Sequence, residues 1–202
     1  MASISGAVEG PTDEIVFGRI VAFAGGAVHR VQVQHGKPNL RRALPGYNAA
    51  AKRDPWVVLV DLDRDFDCPG DLVQEWLPSP SPYMRFRVVV RQVEAWLLAD
   101  ADRFSEFFGV RSGSIPPHPD QLANAKDALL TVVARSRRSA IRDDMVPRPG
   151  SGRSVGPAYA GRLIEFVNDR QSGWRPGVAA RRSRSLASCL ARLKELIARP
   201  PY

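Results

Sequence analysis

The sequence contains few of the residues that build disulfide frameworks, zinc sites and membrane spans. Two of its 202 residues are cysteines, Cys68 and Cys189, and they lie far apart without metal-site spacing. The three histidines form no HxxxH pattern, so we interpret each as a surface or turn residue. No window approaches the roughly 18 consecutive apolar residues of a membrane span, and no signal-peptide pattern opens the chain. We therefore expect a cytoplasmic protein with reduced thiols and no membrane partner.

Motifs that cradle nucleotide phosphates are also missing, and no internal repeat is evident. Residues 150–156 read Gly-Ser-Gly-Arg-Ser-Val-Gly, but their glycine spacing is wrong for a dinucleotide fingerprint. The segment follows no predicted strand and lacks the lysine of a phosphate-binding P-loop. We expect no nucleotide cofactor.

Charge is abundant and unevenly distributed. The chain carries a formal net charge of +8. Residues 1–100 contain 11 Lys and Arg against 12 Asp and Glu, whereas residues 101–202 contain 18 against 9. A basic half favours a polyanionic partner such as nucleic acid, because phosphate contacts dominate that kind of binding. A solvated, arginine-rich surface is the alternative, and composition alone leaves both open.

The most informative stretch is residues 57–67, Val-Val-Leu-Val-Asp-Leu-Asp-Arg-Asp-Phe-Asp. An uninterrupted apolar run of this length predicts a central strand of a parallel sheet, covered on both faces. Alternate residues of a strand lie on one side, so we expect Asp61 and Asp63 to project together from its end. Two carboxylates at the carboxyl edge of a parallel sheet are suitable ligands for a hard divalent cation such as Mg2+.

Further acids follow other predicted strands. Glu9 and Asp13 come directly after a short strand at residues 3–8, where Pro11 and Thr12 indicate the start of a helix. Glu94 lies at a second strand-to-helix junction, after a strand predicted at residues 85–90. Because parallel strands end at one edge, these acids are candidates for the same site as Asp61. A capping or first-turn role is the alternative for each.

The order of predicted elements is β-α-β-α-β-α-β, followed by helices. This order predicts an α/β fold with a mostly parallel four-stranded sheet flanked by helices. Residues 1–110 would form the α/β domain and residues 111–202 a helical C-terminal elaboration packed on it. Pro45-Gly46 predicts two short helical pieces between residues 39 and 52, and residues 135–153 predict an arginine-rich loop that either orders on phosphate or stays mobile.

Together these residues resemble the Toprim domain, the metal-dependent fold shared by topoisomerases, bacterial primases and the nucleases of the overcoming-lysogenization-defect and RloB-like groups. The resemblance rests on Glu9-Gly10 with Asp13 after the first strand and on Asp61-Leu62-Asp63 after the third, and it covers residues 3 to about 100. Residues 93–100 and 183–186 further resemble an uncharacterised bacterial group of Toprim-like proteins, suspected of phage-defence roles beside an ATPase.

The resemblance implies phosphodiester chemistry with Mg2+ or Mn2+. It assigns Asp61 and Asp63 to metal binding and Glu9 to a second ligand position or to general acid/base work. Asp13 matches a further metal ligand of the nuclease branch, and Glu94 is a candidate for completing a two-metal site. Lys126, Arg64 and the arginines of residues 135–153 are candidates to offset charge on the phosphate.

Among the activities of that family, hydrolysis is the one we expect. Each of the four tyrosines is better explained as a packing or surface residue than as a transesterifying nucleophile, and no zinc module of a primase is present. The leading hypothesis is a metal-dependent nuclease acting on DNA or RNA, and the resemblance further implies that it is the effector of a phage-defence system. Alternatives are a non-catalytic nucleic-acid-binding or regulatory subunit working with an ATPase, and a phospho-acceptor or phosphatase-like domain with Asp61 or Asp63 as nucleophile.

Overall fold

The computed structural model describes residues 1–199 and has a four-stranded, fully parallel sheet at its centre. The order of strands across the sheet is β2-β1-β3-β4. The predicted α/β class and parallel four-stranded sheet are therefore confirmed. The strands are β1 (Ser3–Val8), β2 (Ala27–Val33), β3 (Trp56–Asp61) and β4 (Met84–Val89).

Helices connect the strands and make up most of the chain after them. No helix within residues 1–199 has the length and apolar character needed to cross a membrane. The helices are α1 (Pro11–Phe23), α2 (Lys37–Ala50), α3 (Pro69–Trp76), α4 (Val93–Leu98), α5 (Ala101–Phe108), α6 (Ala125–Val133), α7 (Ser139–Met145), α8 (Tyr159–Asn168), α9 (Pro176–Ala179) and α10 (Arg184–Ile197). Two 3-10 turns, Ser112–Ser114 and Pro119–Gln121, lie between α5 and α6.

The two faces of the sheet support two separate apolar cores. Alternate residues of β3 divide between them: Val57 and Leu59 belong to one core, and Val58 and Val60 to the other. The first core contains α1 and α4 together with most helices after β4, whereas α2 and α3 cover the second. This alternation explains why β3 is apolar at successive positions, since both of its faces are buried.

The helices that follow the neighbouring strands β1 and β3 pack on opposite faces of the sheet. Helix α1 leaves β1 over one face of the sheet, and α3 leaves β3 over the other. Neighbouring parallel strands whose connections diverge in this way open a crevice at their carboxyl ends, where α/β proteins bind ligands. Glu9 follows β1 and Asp61 ends β3, so both residues lie at that crevice.

Two local predictions differ from the structure. Helix α2 continues through Pro45 instead of breaking into two pieces. Leu40 and Leu44 of α2 are buried against the sheet, whereas Pro45 is exposed, so the missing backbone hydrogen bond lies on the solvent side. The predicted arginine-rich loop of residues 135–153 contains a helix, α7, whose Ile141 and Met145 join the first core.

Candidate metal-binding site at the sheet edge

Glu9 and Asp61 meet at the crevice between β1 and β3. Asp61 N donates a hydrogen bond of 3.0 Å to Glu9 Oε1, which fixes the glutamate beside the end of β3. Burial raises the pKa of Glu9, although the Asp61 amide and the charge of Lys37 oppose that shift. The carboxylate of Glu9, which follows β1, therefore lies beside Asp61, the last residue of β3.

Asp13 belongs to the same crevice because α1 begins directly after Glu9. Its Oδ2 accepts a hydrogen bond of 2.8 Å from Gly10 N, as a residue in the first turn of a helix commonly does. Burial raises the pKa of Asp13 to about 7, and the charges of Glu94 and Glu9 add to this effect. The capping role expected as an alternative is therefore present, together with repulsion from two other acids.

Glu94 enters the crevice from the first turn of α4 and is buried, with 4% of its surface exposed. Its Oε1 accepts a hydrogen bond of 2.9 Å from the hydroxyl of Tyr159 on α8. Burial and the neighbouring Glu94 charge raise the pKa of Tyr159, so its hydroxyl keeps the proton that it donates. Lys126 Nζ, from the first turn of α6, lies 3.8 Å from the same oxygen.

Asp61 lies at the centre of these acids, and its carboxylate has no hydrogen-bond or ion-pair partner within residues 1–199. Burial raises its pKa well above the usual range for aspartate. Neighbouring carboxylates raise that pKa further, in the order Asp13, Glu94, Glu9 and Asp63. We call Glu9, Asp13, Asp61 and Glu94 the acidic cluster, since these four residues repel one another across three segments of the chain.

Asp63 has different neighbours from Asp61. The strand ends at Asp61, and Asp63 adopts a left-handed backbone conformation with a φ of 51°, so the expected strand alternation does not extend to it. Its Oδ2 lies 2.8 Å from Lys37 Nζ, and its Oδ1 accepts a hydrogen bond of 2.9 Å from Gln92 Nε2. Asp63 thus lies at the rim of the acidic cluster, where the ammonium group of Lys37 compensates its charge.

Lys37 lies after β2, so this strand of the sheet also contributes a residue to the rim of the acidic cluster. It follows β2 at the start of α2 and also lies 2.7 Å from Asp65 Oδ2. Burial lowers its pKa, but the hydrogen bonds to Asp63 and Asp65 outweigh burial and raise the pKa overall. The ammonium group therefore stays charged beside the acids.

Sequence reasoning missed Lys37, Gln92 and the contact made by Tyr159. Gln92 bridges Asp63 and the backbone N of Lys126, where its Oε1 accepts a hydrogen bond of 3.0 Å. Gln92 follows the strand predicted at residues 85–90, and Lys37 follows β2, so a position shortly after a strand is the same signal that singled out Glu9 and Glu94. Tyr159 gave no such signal, because it reaches Glu94 from a helix 65 residues further along the chain.

The donor chemistry of the acidic cluster fits a hard divalent cation. Carboxylate oxygens are the ligands that Mg2+ and Mn2+ prefer, and a cation would remove the repulsion that raises the pKa of Asp61. Across residues 1–199, however, no three histidine, cysteine or acidic side chains are already arranged as ligands of one metal ion. Glu9 and Glu94 instead hold hydrogen bonds to Asp61 N and Tyr159, so binding would require these side chains to rearrange.

No protein-family model matches this chain, and searches among curated proteins and among solved structures found no significant match. The resemblance to the Toprim domain therefore rests on the order and spacing of the acidic residues alone.

Proposed function

We propose that this protein is a metal-dependent nuclease that hydrolyses phosphodiester bonds of DNA or RNA with Mg2+ or Mn2+. The observation that supports this proposal most strongly is the half-buried residue Asp61, whose carboxylate has no hydrogen-bond or ion-pair partner within residues 1–199 and is surrounded by three other acids. Burying charges of one sign together is unfavourable unless a counter-ion joins them. Since the cluster lies at the ligand-binding crevice of an α/β sheet, an exchangeable cation is the counter-ion that its position favours.

In this proposal Glu9, Asp61 and Glu94 would hold the cation, with Asp13 as a further ligand and Asp63 at the rim. A bound divalent cation would activate water and offset charge on the phosphate. Lys126 lies beside Glu94 and is positioned to contact a phosphate oxygen at the crevice. Lys37 and Gln92 hold Asp63 in place, so they would orient the rim of the site without touching the substrate.

A second candidate is a nucleic-acid-binding or regulatory subunit without hydrolytic activity, working with an ATPase. It is favoured by the lack of a ready-made ligand set within residues 1–199 and by the ion pair that Asp63 already forms with Lys37. The phage-defence role and the ATPase partner both remain predictions from the resemblance. The two candidates differ in one respect that is simple to measure, which is metal-dependent turnover.

Cleavage assays on single-stranded DNA, duplex DNA and RNA with Mn2+ or Mg2+ test the proposal. We expect Asp61→Asn and Glu9→Gln to reduce metal-stimulated cleavage about 100-fold or more. Loss of a residue that only hydrogen-bonds to a metal ligand already lowers activity or metal affinity about 10- to 100-fold, and these two residues are the proposed ligands themselves. Both substitutions conserve shape, and the glutamine can still accept the hydrogen bond from Asp61 N. Asp54→Asn is the matched control, because Asp54 is exposed and lies before β3, at the opposite edge of the sheet. Cleavage that survives both site variants would remove the site assignment.

A further inference from the structure

Three arginines surround a cavity of about 650 Å3 away from the acidic cluster. Arg111 and the 3-10 turn Ser112–Ser114 form one wall, and Arg135 and Arg137, between α6 and α7, form the other. The cavity is lined by Arg111, Gly113, Ser114, Arg135 and Arg137, and no acidic residue is among them. We call these five residues the arginine cavity.

The guanidinium groups of the arginine cavity are uncompensated. Within residues 1–199, the side chains of Arg111, Arg135 and Arg137 form no ion pair or hydrogen bond. Some other exposed arginines do have such partners, for example Arg41 with Glu75 and Arg192 with Glu195. Three unpaired positive groups around one concavity repel one another, and an anion bound between them would relieve that repulsion.

The wall that carries Arg135 and Arg137 is held rigidly by the end of α5. The buried Ser136 hydroxyl donates to Phe108 O at 2.6 Å, and Arg137 N donates to Gly109 O at 3.0 Å. Arg138 Nη1 donates to Phe107 O at 2.8 Å, so this arginine is engaged in holding the segment. With Ser136 turned inward, its two neighbours are exposed on the side of the cavity.

The opposite wall is fixed in a similar way. Ser114 Oγ donates to Arg111 O at 2.6 Å and closes the 3-10 turn on itself. The buried residues Val110 and Ile115 anchor the chain on each side of the turn. The backbone of both walls is thus organised before any ligand arrives, which reduces the entropy that binding would cost.

A second basic groove of the molecule has a different character. It is lined by Arg87, Arg182 and Arg184, but Arg87 Nη2 already donates to Ser188 Oγ and Arg182 Nη2 to Pro116 O. Asp120 also lines this groove and caps the start of α10 through Ser183 and Ser185. Arg87 and Arg182 of this groove thus have partners within the chain, whereas the three arginines of the arginine cavity have none within residues 1–199.

From these contacts we infer that the arginine cavity binds phosphate groups. Arginine matches phosphate with paired N–H donors, and three guanidinium groups can together surround one or two phosphates. The cavity lies at the far end of α6 from Lys126, about 13 Å along the nine-residue helix. On the proposed function, this distance from Lys126 corresponds to the axial rise of about four base-pair steps of duplex DNA.

Binding measured in a chelator and at low salt tests the inference independently of any metal. The probes are a fluorescently labelled single-stranded oligonucleotide and pyrophosphate, followed by anisotropy and by calorimetry. We expect Arg111→Gln/Arg137→Gln to weaken binding at least about tenfold, because hydrogen bonds between charged groups are the strong ones. Arg53→Gln/Arg170→Gln is the matched control, since both residues are exposed, lie outside the cavity and produce the same change in net charge.

The two probes distinguish the sources of the phosphate. Weakening of oligonucleotide binding alone identifies a nucleic-acid backbone, whereas weakening of both identifies phosphate in general, including small polyphosphates. Equal losses in the cavity and control variants would overturn the inference, because binding would then follow net charge. Absence of binding of both probes by the unmodified protein would overturn it as well.

The same variants separate this inference from the proposed function. Asp61→Asn should bind the oligonucleotide in chelator as the unmodified protein does. Arg111→Gln/Arg137→Gln should retain metal-stimulated hydrolysis of a small diester, bis(p-nitrophenyl) phosphate, which is too short to reach both regions. Failure of the unmodified protein to hydrolyse either this diester or the nucleic-acid substrates would end the nuclease proposal and leave the phosphate-binding result standing.

Discussion

Two aspartates of this chain, the fully buried Asp100 and the half-buried Asp61, have opposite surroundings. Asp100, fully buried before α5, accepts three hydrogen bonds of 2.7–2.9 Å from the backbone and guanidinium of Arg175. Asp61 has no such partner within residues 1–199 and faces three other carboxylates instead. The chain thus supplies an internal cation where an acid serves the fold. The carboxylate of Asp61 has no such internal cation within residues 1–199, and we infer that its cation comes from solution.

The largest effect on stability is expected at Asp100. Asp100→Asn should lower the free energy of unfolding by about 2–3 kcal/mol, because one guanidinium donor would then face the amide NH2 group. Part of the full penalty is avoided, since 38% of the Arg175 side chain is exposed and water can solvate it. Urea denaturation measures the change. A loss below about 0.5 kcal/mol would show that the ion pair between Asp100 and Arg175 does not stabilise the fold.

The acidic cluster around Asp61 should make the stability of the protein depend on pH. The folded-state pKa of Asp13 is raised from the model-compound value of 3.8 to about 7, so the folded protein binds its proton more tightly than the unfolded chain does. In chelator, the free energy of unfolding should therefore fall as pH rises from about 4 to about 7. Asp13→Asn should flatten this fall and keep the hydrogen bond from Gly10 N. An unchanged pH profile in the variant would show that Asp13 is not subject to the repulsion described.

A smaller effect is expected from the tyrosine that joins the C-terminal helices to the acidic cluster. Tyr159→Phe removes the hydroxyl that donates to Glu94 Oε1 and should lower the free energy of unfolding by about 1 kcal/mol. The loss should shrink when Mn2+ is added, because a cation would compensate the glutamate in place of the hydroxyl. Equal losses with and without Mn2+ would place Glu94 outside the metal site.

Much of this arrangement could be predicted from the sequence. The apolar run ending at Asp61 predicted a strand buried on both faces, and the parallel order of strands indicated that Glu9, Asp61 and Glu94 would end at one edge. Hydrophobic periodicity and turn residues suffice for such predictions, because the carboxyl ends of parallel strands lie at the same edge of a sheet. The structure brings those three residues together with Asp13 into the acidic cluster.

The remaining features depend on contacts between distant segments. Lys37 reaches Asp63 across 26 residues, and Ser136 orders the arginine-rich segment through Phe108 O, 28 residues away. No local pattern encodes either hydrogen bond. The divergence of Asp61 and Asp63 also escaped prediction, because the left-handed conformation of Asp63 is set by its partners and not by the alternation of the strand.

The central claim is that the acidic cluster takes up a divalent cation, and direct measurement of Mn2+ binding tests it. Free Mn2+ is followed by electron paramagnetic resonance in the unmodified protein, in Asp61→Asn and in Asp54→Asn. We predict saturable binding by the unmodified protein and by Asp54→Asn, with affinity reduced at least about tenfold in Asp61→Asn. Equal affinity in all three proteins, or no binding by the unmodified protein at millimolar Mn2+, would contradict the account.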